Sequence, residues 1–286
     1  MAPGRLRQPK EPGRLASSGP RNQVDTSEQP ARSDGAAPAW YAEFFGADYL
    51  RLYRPYLTPK RTEADVIGLV RRLALPAGSR ILDLCCGQGR HSIPLAVLGY
   101  RVTGLDLNPV LLGHAMSLDR DVEAGVRWVQ GDMRRLPFGS EFDAVINVFT
   151  AFGYLENEAE DFQVLRDVER TLVPGGLFLL DVVNREALVR HFMPAEVEHR
   201  DDGLVVLQEQ ELDMRSSRLA VRVTLLESGG RGKEYRQSIR IYTLTELSGM
   251  LASAGLTLER YYGDLDGSPL NLDSRRLVLV ARKSTA

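Results

Sequence analysis

Between residues 80 and 183 the chain alternates short apolar runs with amphipathic ones, and this alternation constrains the fold more than any other feature of the sequence. Residues 81–84, 101–105, 126–130, 142–148 and 177–183 read as strands. Residues 91–98, 109–117 and 158–172 read as helices, the last closed by Pro174, Gly175 and Gly176. The βαβα order predicts an open parallel sheet with helices on both faces. Right-handed crossovers narrow this to a Rossmann-like, doubly wound α/β fold.

The flanks differ from this core. Residues 1–38 are rich in Pro, Gly, Arg, Ser and Ala, with few large apolar side chains, and are expected to be disordered. Residues 40–56 carry seven aromatics, of which Phe45, Tyr49, Tyr53 and Tyr56 follow a spacing that fits one helix face. They read either as packing against the body or as a lid over a cleft. After Asn184 the pattern turns β-rich at 204–213, 219–227 and 235–242, which predicts an antiparallel insertion. A helix at 243–254 opens with a capping box, Thr243-x-x-Glu246, and strands at 256–262 and 276–281 follow. The expected organisation is a tail (1–38), an aromatic helical lid (39–78), a cofactor-binding core (79–184), the β insertion after strand five (185–242) and a C-terminal completion of a mostly parallel seven-stranded sheet (243–286).

Composition removes several function classes. The formal net charge of −2 lacks the basic excess of a nucleic-acid binder. No run reaches the ~18 apolar residues of a membrane helix. Cys85 and Cys86 are adjacent, a poor geometry for a disulfide, so a cytoplasmic, reducing location is expected. The four histidines have no metal-ligand spacing, and no metal is expected.

The chemistry concentrates in Ile81-Leu-Asp-Leu-Cys-Cys-Gly-Gln-Gly-Arg90, where a strand runs into a Gly-x-Gly turn ahead of a helix. Gly87 and Gly89 open backbone angles closed to other residues and let a ligand approach the main chain. Asp106 ends the second strand, where such folds place a carboxylate on ribose hydroxyls. It also reads as a cap for the helix opened by Pro109. Asp132 ends the third strand beside Met133, a carboxylate for an exocyclic amine next to an apolar wall. A dinucleotide site would want a third glycine, and here Ser92 stands in that position. That departure favours a cofactor without phosphates over a nicotinamide.

These segments resemble the class I S-adenosylmethionine-dependent methyltransferases. The stretch 81–90 is similar to their first motif, Leu105-Asp-Leu-Asn-Pro109 to the second, Gly131-Asp-Met-Arg-Arg-Leu-Pro137 to the adenine-binding segment, and Leu172-Val-Pro-Gly-Gly-Leu-Phe178 to the signature after strand four. The resemblance extends to the small-molecule enzymes with a late antiparallel insertion, among them amino-sugar N-methyltransferases. It implies that Gly87, Gly89, Cys85 and Arg90 form the loop around the methionine part and ribose of S-adenosylmethionine. It implies that Asp83 organises that loop and the cofactor's amino group, that Asp106 and Leu107 hold the ribose, and that Asp132 and Met133 hold the adenine. Asn147 and Phe149 would face the sulfonium and the acceptor, and Tyr53 would close over the cofactor. The family often has glycine where this chain has Cys85.

The Asn-Pro-Pro-Tyr type motif of base-amine methyltransferases is absent, since strand four ends in Asn147-Val-Phe-Thr150. The expected acceptor is therefore a small molecule methylated on N or O, and neither nucleic acid nor membrane. Tyr154 and His199 are the candidate catalytic groups. The insertion could form a pocket wall, a homodimer surface, or both. Two alternatives stay open: a non-catalytic cofactor-binding protein and a nicotinamide oxidoreductase.

Overall fold

The computed structural model describes residues 39–285 except Ser228 and Arg231, so the expected disordered tail lies outside the described residues. The chain opens with α1 (Trp40–Phe44), α2 (Ala47–Tyr53) and α3 (Pro59–Leu73). The core follows as β1 (Arg80–Leu84), α4 (Ser92–Val97), β2 (Arg101–Asp106), α5 (Pro109–Val122), β3 (Arg127–Gln130), β4 (Phe142–Asn147), α6 (Glu158–Thr171) and β5 (Leu172–Val183). Then come α7 (Arg185–Arg190), β6 (Ala195–His199), β7 (Val205–Asp213), β8 (Arg218–Leu226) and β9 (Gly232–Arg240). The chain returns to the core with α8 (Leu244–Ser253), β10 (Leu256–Tyr262) and β11 (Arg276–Lys283).

Seven strands form one sheet in the order β10-β11-β5-β4-β1-β2-β3, parallel except where β11 pairs with β5 and β10. The order reverses at β1, and there the carboxyl ends of β1, β2, β3 and β4 open a crevice, the usual ligand position in open α/β sheets. Two apolar layers hold the sheet. Leu82, Leu84, Phe178 and Leu180 point into one, and Ile81, Ile146, Leu179 and Val280 into the other.

The insertion is a separate antiparallel sheet in the order β6-β7-β8-β9. Strand β8 alternates strictly, with Leu219, Val221, Val223 and Leu225 buried and the residues between them turned outward. The buried row joins Phe44 and Leu52 of the N-terminal helices in a third apolar cluster. Asp48 accepts hydrogen bonds from Lys233 and Tyr235, and Arg51 pairs with Glu227, which ties α2 to the insertion.

Three local expectations change. The aromatic helix is two helices, because Gly46 is extended (φ −145°, ψ −152°) and breaks the run. The rings still join, with centroids 4.9 Å apart for Phe45–Tyr49 and 4.7 Å for Tyr49–Tyr53. The insertion has a fourth strand, β6, only five residues long, whose apolar Ala195 and Val197 are exposed. Strand β5 starts at Leu172, so Pro174 to Gly176 lie within it. The capping box at Thr243 and Glu246 forms as expected. No helix among the described residues is long and apolar enough to cross a membrane.

Candidate functional site

A cavity of about 400 Å³ lies at the crevice, enclosed between the core sheet, the aromatic helices and the insertion. Its floor is the turn after β1. There Cys85, Gly87 and Gly89 take left-handed angles of φ +63°, +56° and +76°. A Cβ built on Gly87 would meet nothing nearer than 3.9 Å, so this backbone stands open to the cavity. A Cβ on Gly89 would come within 2.6 Å of the Trp128 ring, so Gly89 serves the packing of the turn onto β3 and does not line the cavity. Cys85 adopts the left-handed conformation that glycine takes without strain. Its thiol donates to the Met133 sulfur at 3.5 Å.

Asp106 is the anchor of the next turn. Its carboxylate accepts the Gly87 amide at 2.8 Å and the Asn108 amide at 2.8 Å. The helix cap is instead Asn108, whose side-chain oxygen accepts from Val110 and Leu111 while its amide donates to the Phe45 carbonyl. Burial pushes the Asp106 carboxyl up to about 6, against the pull of the Asn108 and Gly87 amides. Asp106 lines the cavity with exposed Leu107 beside it.

Asp132 and Met133 line the cavity after β3, Asp132 held by a bidentate Arg134 guanidinium. Arg90 lines it too. Its Nη1 donates to Asp65 at 2.6 Å, its Nη2 is buried without a partner among the described residues, and its guanidinium lies 5.6 Å from the Phe149 ring centre.

The turn after β4 is the most strained part of the site. Phe149 and Thr150 have φ of +70° and +58°, angles that cost a non-glycine residue about 1–2 kcal/mol each. Asp181 holds both: its carboxylate accepts the Phe149 amide at 2.9 Å and its carbonyl accepts the Thr150 amide at 3.0 Å. Arg276 grips Asp181 at 2.6 Å and reaches Asp65 at 2.7 Å, and Asp65 holds Arg90. A buried chain of alternating charges thus runs from the β4 turn to the β1 turn. Burial raises the Asp65 carboxyl, but nearby His91, Arg276 and Arg90 outweigh it and hold the group well below the usual carboxylate range.

Aromatic rings close the cavity. Tyr53 lies 5.9 Å from Phe149, and Phe45 stacks on Tyr154 at 5.6 Å. Burial pushes the Tyr154 phenol well up and the Tyr53 phenol to about 12, so both stay protonated at neutral pH.

Of the residues expected from sequence, Tyr53, Cys85, Gly87, Arg90, Asp106, Leu107, Asp132, Met133, Phe149 and Tyr154 come together here. Four do not line the cavity. His199 ends β6 as an exposed residue away from it, because the unforeseen strand carries it along the outside of the insertion. Asp83 is buried behind the loop, accepting the Ser92 hydroxyl at 2.6 Å. Asn147 is buried too, donating to the Leu84 carbonyl at 3.0 Å. Gly89 is spent on Trp128. The sequence reading left open that the insertion walls the pocket but did not name the residues that do so, Leu219, Gln237, Ile239 and Ile241, although alternation along 219–225 marked a buried face. It also missed His91, buried in the lining with its Nε2 3.7 Å from Asp65.

A family model described as a methyltransferase domain matches residues 81–176. The chain is 31% identical over 212 residues to a cypemycin N-terminal methyltransferase from Streptomyces sp, covering 72% of this chain and 84% of that one. It is 26% identical over 235 residues to a dTDP-3-amino-3,4,6-trideoxy-alpha-D-glucopyranose N,N-dimethyltransferase from Streptomyces venezuelae, covering 80% and 95%. Among solved structures it is similar to an S-adenosylmethionine-bound amino pentose methyltransferase from Micromonospora echinaspora, with a TM-score of 0.62, 27% identity, and 82% and 97% of the two chains covered.

Proposed function

Because this chain belongs to the class I S-adenosylmethionine-dependent methyltransferases, we propose that its cavity seats the cofactor against the turns after β1, β2 and β3 and methylates the nitrogen of a small-molecule acceptor. The observation that carries this reading is the convergence of Gly87, Asp106 and the Asp132–Met133 pair on one cavity. The residues fit the group. The open backbone at Gly87 admits close approach, and buried Asp106 offers acceptors to a vicinal diol. The unpartnered Arg90 Nη2 offers a buried donor to a carboxylate. Asp132 and Met133 offer an acceptor beside an apolar surface.

When bound, S-adenosylmethionine supplies a methyl group already activated by its sulfonium charge. The chain's task is alignment and exclusion of water, which can supply about 7–11 kcal/mol of the barrier. Tyr53, Phe149 and Tyr154 are the rings that exclude water, and the fixed Phe149–Thr150 turn sets the floor beneath the acceptor. No deprotonated side chain on the insertion wall can take a proton from a hydroxyl, among the described residues. Tyr154 holds its proton, and burial, the largest cause, pushes His91 down to the neutral form on the cofactor side. An amine that arrives neutral needs no such base. Nitrogen acceptors also appear in the names of the cypemycin and amino-sugar relatives.

The outer strands β6 and β9 carry exposed charges at Glu196, Lys233, Glu234 and Arg236, a pattern that blunts edge pairing. In this reading the insertion is a cavity wall and not a dimer seam. The free cysteines suit a reducing, cytoplasmic setting. Calorimetric titration with S-adenosylhomocysteine tests the proposal: saturable one-to-one binding is expected, weakened at least tenfold in Asp106→Ala. A folded protein that binds neither S-adenosylhomocysteine nor S-adenosylmethionine would refute it.

A further inference from the structure

The cavity's charge is one-sided. Among the described residues that line it, the charged ones are Arg90, Asp106 and Asp132, and all three stand at the carboxyl ends of β1, β2 and β3. The wall built by the insertion and its approaches consists of Val183, Leu188, Leu219, Ile239 and Ile241, with Phe45 over it. Gln237 is the polar side chain on that wall.

Two guanidinium groups on β8 and β9 are committed elsewhere, and Arg185 at the start of α7 donates to the Ser217 hydroxyl at 3.2 Å without lining the cavity. Arg240 is buried and bridges Glu158 at 2.8 Å and Glu246 at 2.5 Å. Arg218 donates to the carbonyls of Leu155 at 2.6 Å and Glu156 at 2.8 Å, and to Ser238 at 3.2 Å. Neither lines the cavity. A diphosphate placed against this wall would leave water without a counter-charge, an arrangement proteins avoid.

Resting on the methyltransfer reading above, we propose that the acceptor is an amine with an apolar, uncharged body, seated on the β8–β9 wall under Phe45 and Tyr154. A nucleotide-diphosphate sugar of the kind named for the Streptomyces venezuelae relative is not the acceptor of this chain. The same wall selects the reactive protonation state. An ammonium finds no carboxylate there, so desolvation favours the neutral amine. The amine lone pair forms the N–C bond as the C–S bond of the sulfonium breaks, leaving a thioether. An acceptor that is an ammonium in solution gives up one proton to water as it enters, and the methylated product leaves as an ammonium. Gln237 is placed to accept or donate one hydrogen bond and so to orient an otherwise apolar molecule.

The test uses the wild-type protein, so no variant has to fold. Protein loaded with S-adenosylhomocysteine is titrated with thymidine diphosphate in a calorimeter. In parallel, S-adenosylhomocysteine release from S-adenosylmethionine is measured with glucosamine and with a series of n-alkylamines and phenylalkylamines. The expected results are no saturable heat from thymidine diphosphate at millimolar concentration, and kcat/KM that rises about fourfold per added methylene. Saturable thymidine diphosphate binding, a flat series, glucosamine outperforming the apolar amines, or no turnover of any apolar amine would each overturn the inference while leaving S-adenosylhomocysteine binding intact. Absence of S-adenosylhomocysteine binding would bring down the methyltransfer reading, and this inference with it.

Discussion

Arg276 is the residue whose loss should be felt most widely. Its side chain is 12% exposed and stands between Asp181 and Asp65, whose side chains are 2% and 6% exposed. Replacing it with methionine keeps the length of the apolar stem and removes the charge. Both carboxylates then lose a guanidinium at 2.6–2.7 Å. Removing one partner of a buried pair costs about 3–5 kcal/mol. Asp65 keeps Arg90 at 2.6 Å, so the lower end applies, about 3 kcal/mol. For a domain of this size that lowers Tm by roughly 6–12 °C. The pH dependence has a definite sign. Asp65 is held below its unfolded value, so its contribution is present above about pH 4 and lost as pH falls through the folded value. The gap between wild type and Arg276→Met should therefore be full at pH 7 and narrow below about pH 4. Urea denaturation at pH 7, 5 and 3.5 measures it. Arg276→Lys, a point charge that cannot fork between two carboxylates, should recover part of the loss. A gap under about 1 kcal/mol at pH 7, or one that widens on acidification, would refute the argument.

Three further outcomes follow from single positions. Gly153→Ala should cost about 3 kcal/mol or more in urea denaturation, because φ is +97° and the new Cβ would lie 2.3 Å from the Arg240 carbonyl oxygen; a loss below 1 kcal/mol would mean that the seam between insertion and core yields easily. S-adenosylhomocysteine affinity should be level above about pH 7 and weaken by up to tenfold per unit below about pH 6, as Asp106 takes up a proton and loses acceptor capacity. Calorimetry across pH 5–8 checks this, and the dependence should vanish in Asp106→Asn. Cys85→Gly should leave stability within about 1 kcal/mol of wild type, since relief of the +63° angle offsets lost packing, whereas Cys85→Val should cost about 2 kcal/mol; equal effects in thermal melts would argue against strain at this position.

What the sequence made legible was local. The strand–turn–helix alternation needs only neighbouring residues to be recognised, and it located Gly87, Asp106 and Asp132 at one sheet edge before any tertiary contact was known. Spacing alone did not separate Gly87, which opens to the cavity, from Gly89, which packs on Trp128. That difference depends on β3, 38 or more residues further on. His199 was misplaced for a related reason: Ala195 to His199 are five residues whose short Ala-Glu-Val-Glu alternation marks no buried face, so the strand that carries them outward gave little signal. The break at Gly46 was hidden because the aromatic spacing survives it. One cue did point beyond local pattern. Asp181 sits inside an apolar run, and a carboxylate there demands a buried partner. The partner, Arg276, lies 95 residues away.

The two walls of the cavity differ in legibility because they recognise by different physics. The cofactor wall works through hydrogen bonds and charge, which require particular residue types at particular turns, and those leave a pattern in sequence. The wall proposed for the acceptor offers apolar area, contributed by Phe45, Leu188, Leu219 and Ile239 from four separated segments. Each of these residues, met alone, reads as ordinary core. The β4 turn joins the two regimes. Phe149 presents its ring to Tyr53 and Arg90, and its strained backbone is held from behind by Asp181. Since Asp181, Arg276, Asp65 and Arg90 form one chain of contacts, the turn after β1 and the turn after β4, proposed to face cofactor and acceptor, are held by the same buried charges. Loosening either end should therefore degrade alignment at the other, so Arg276→Lys should lower kcat more than it raises KM for the acceptor.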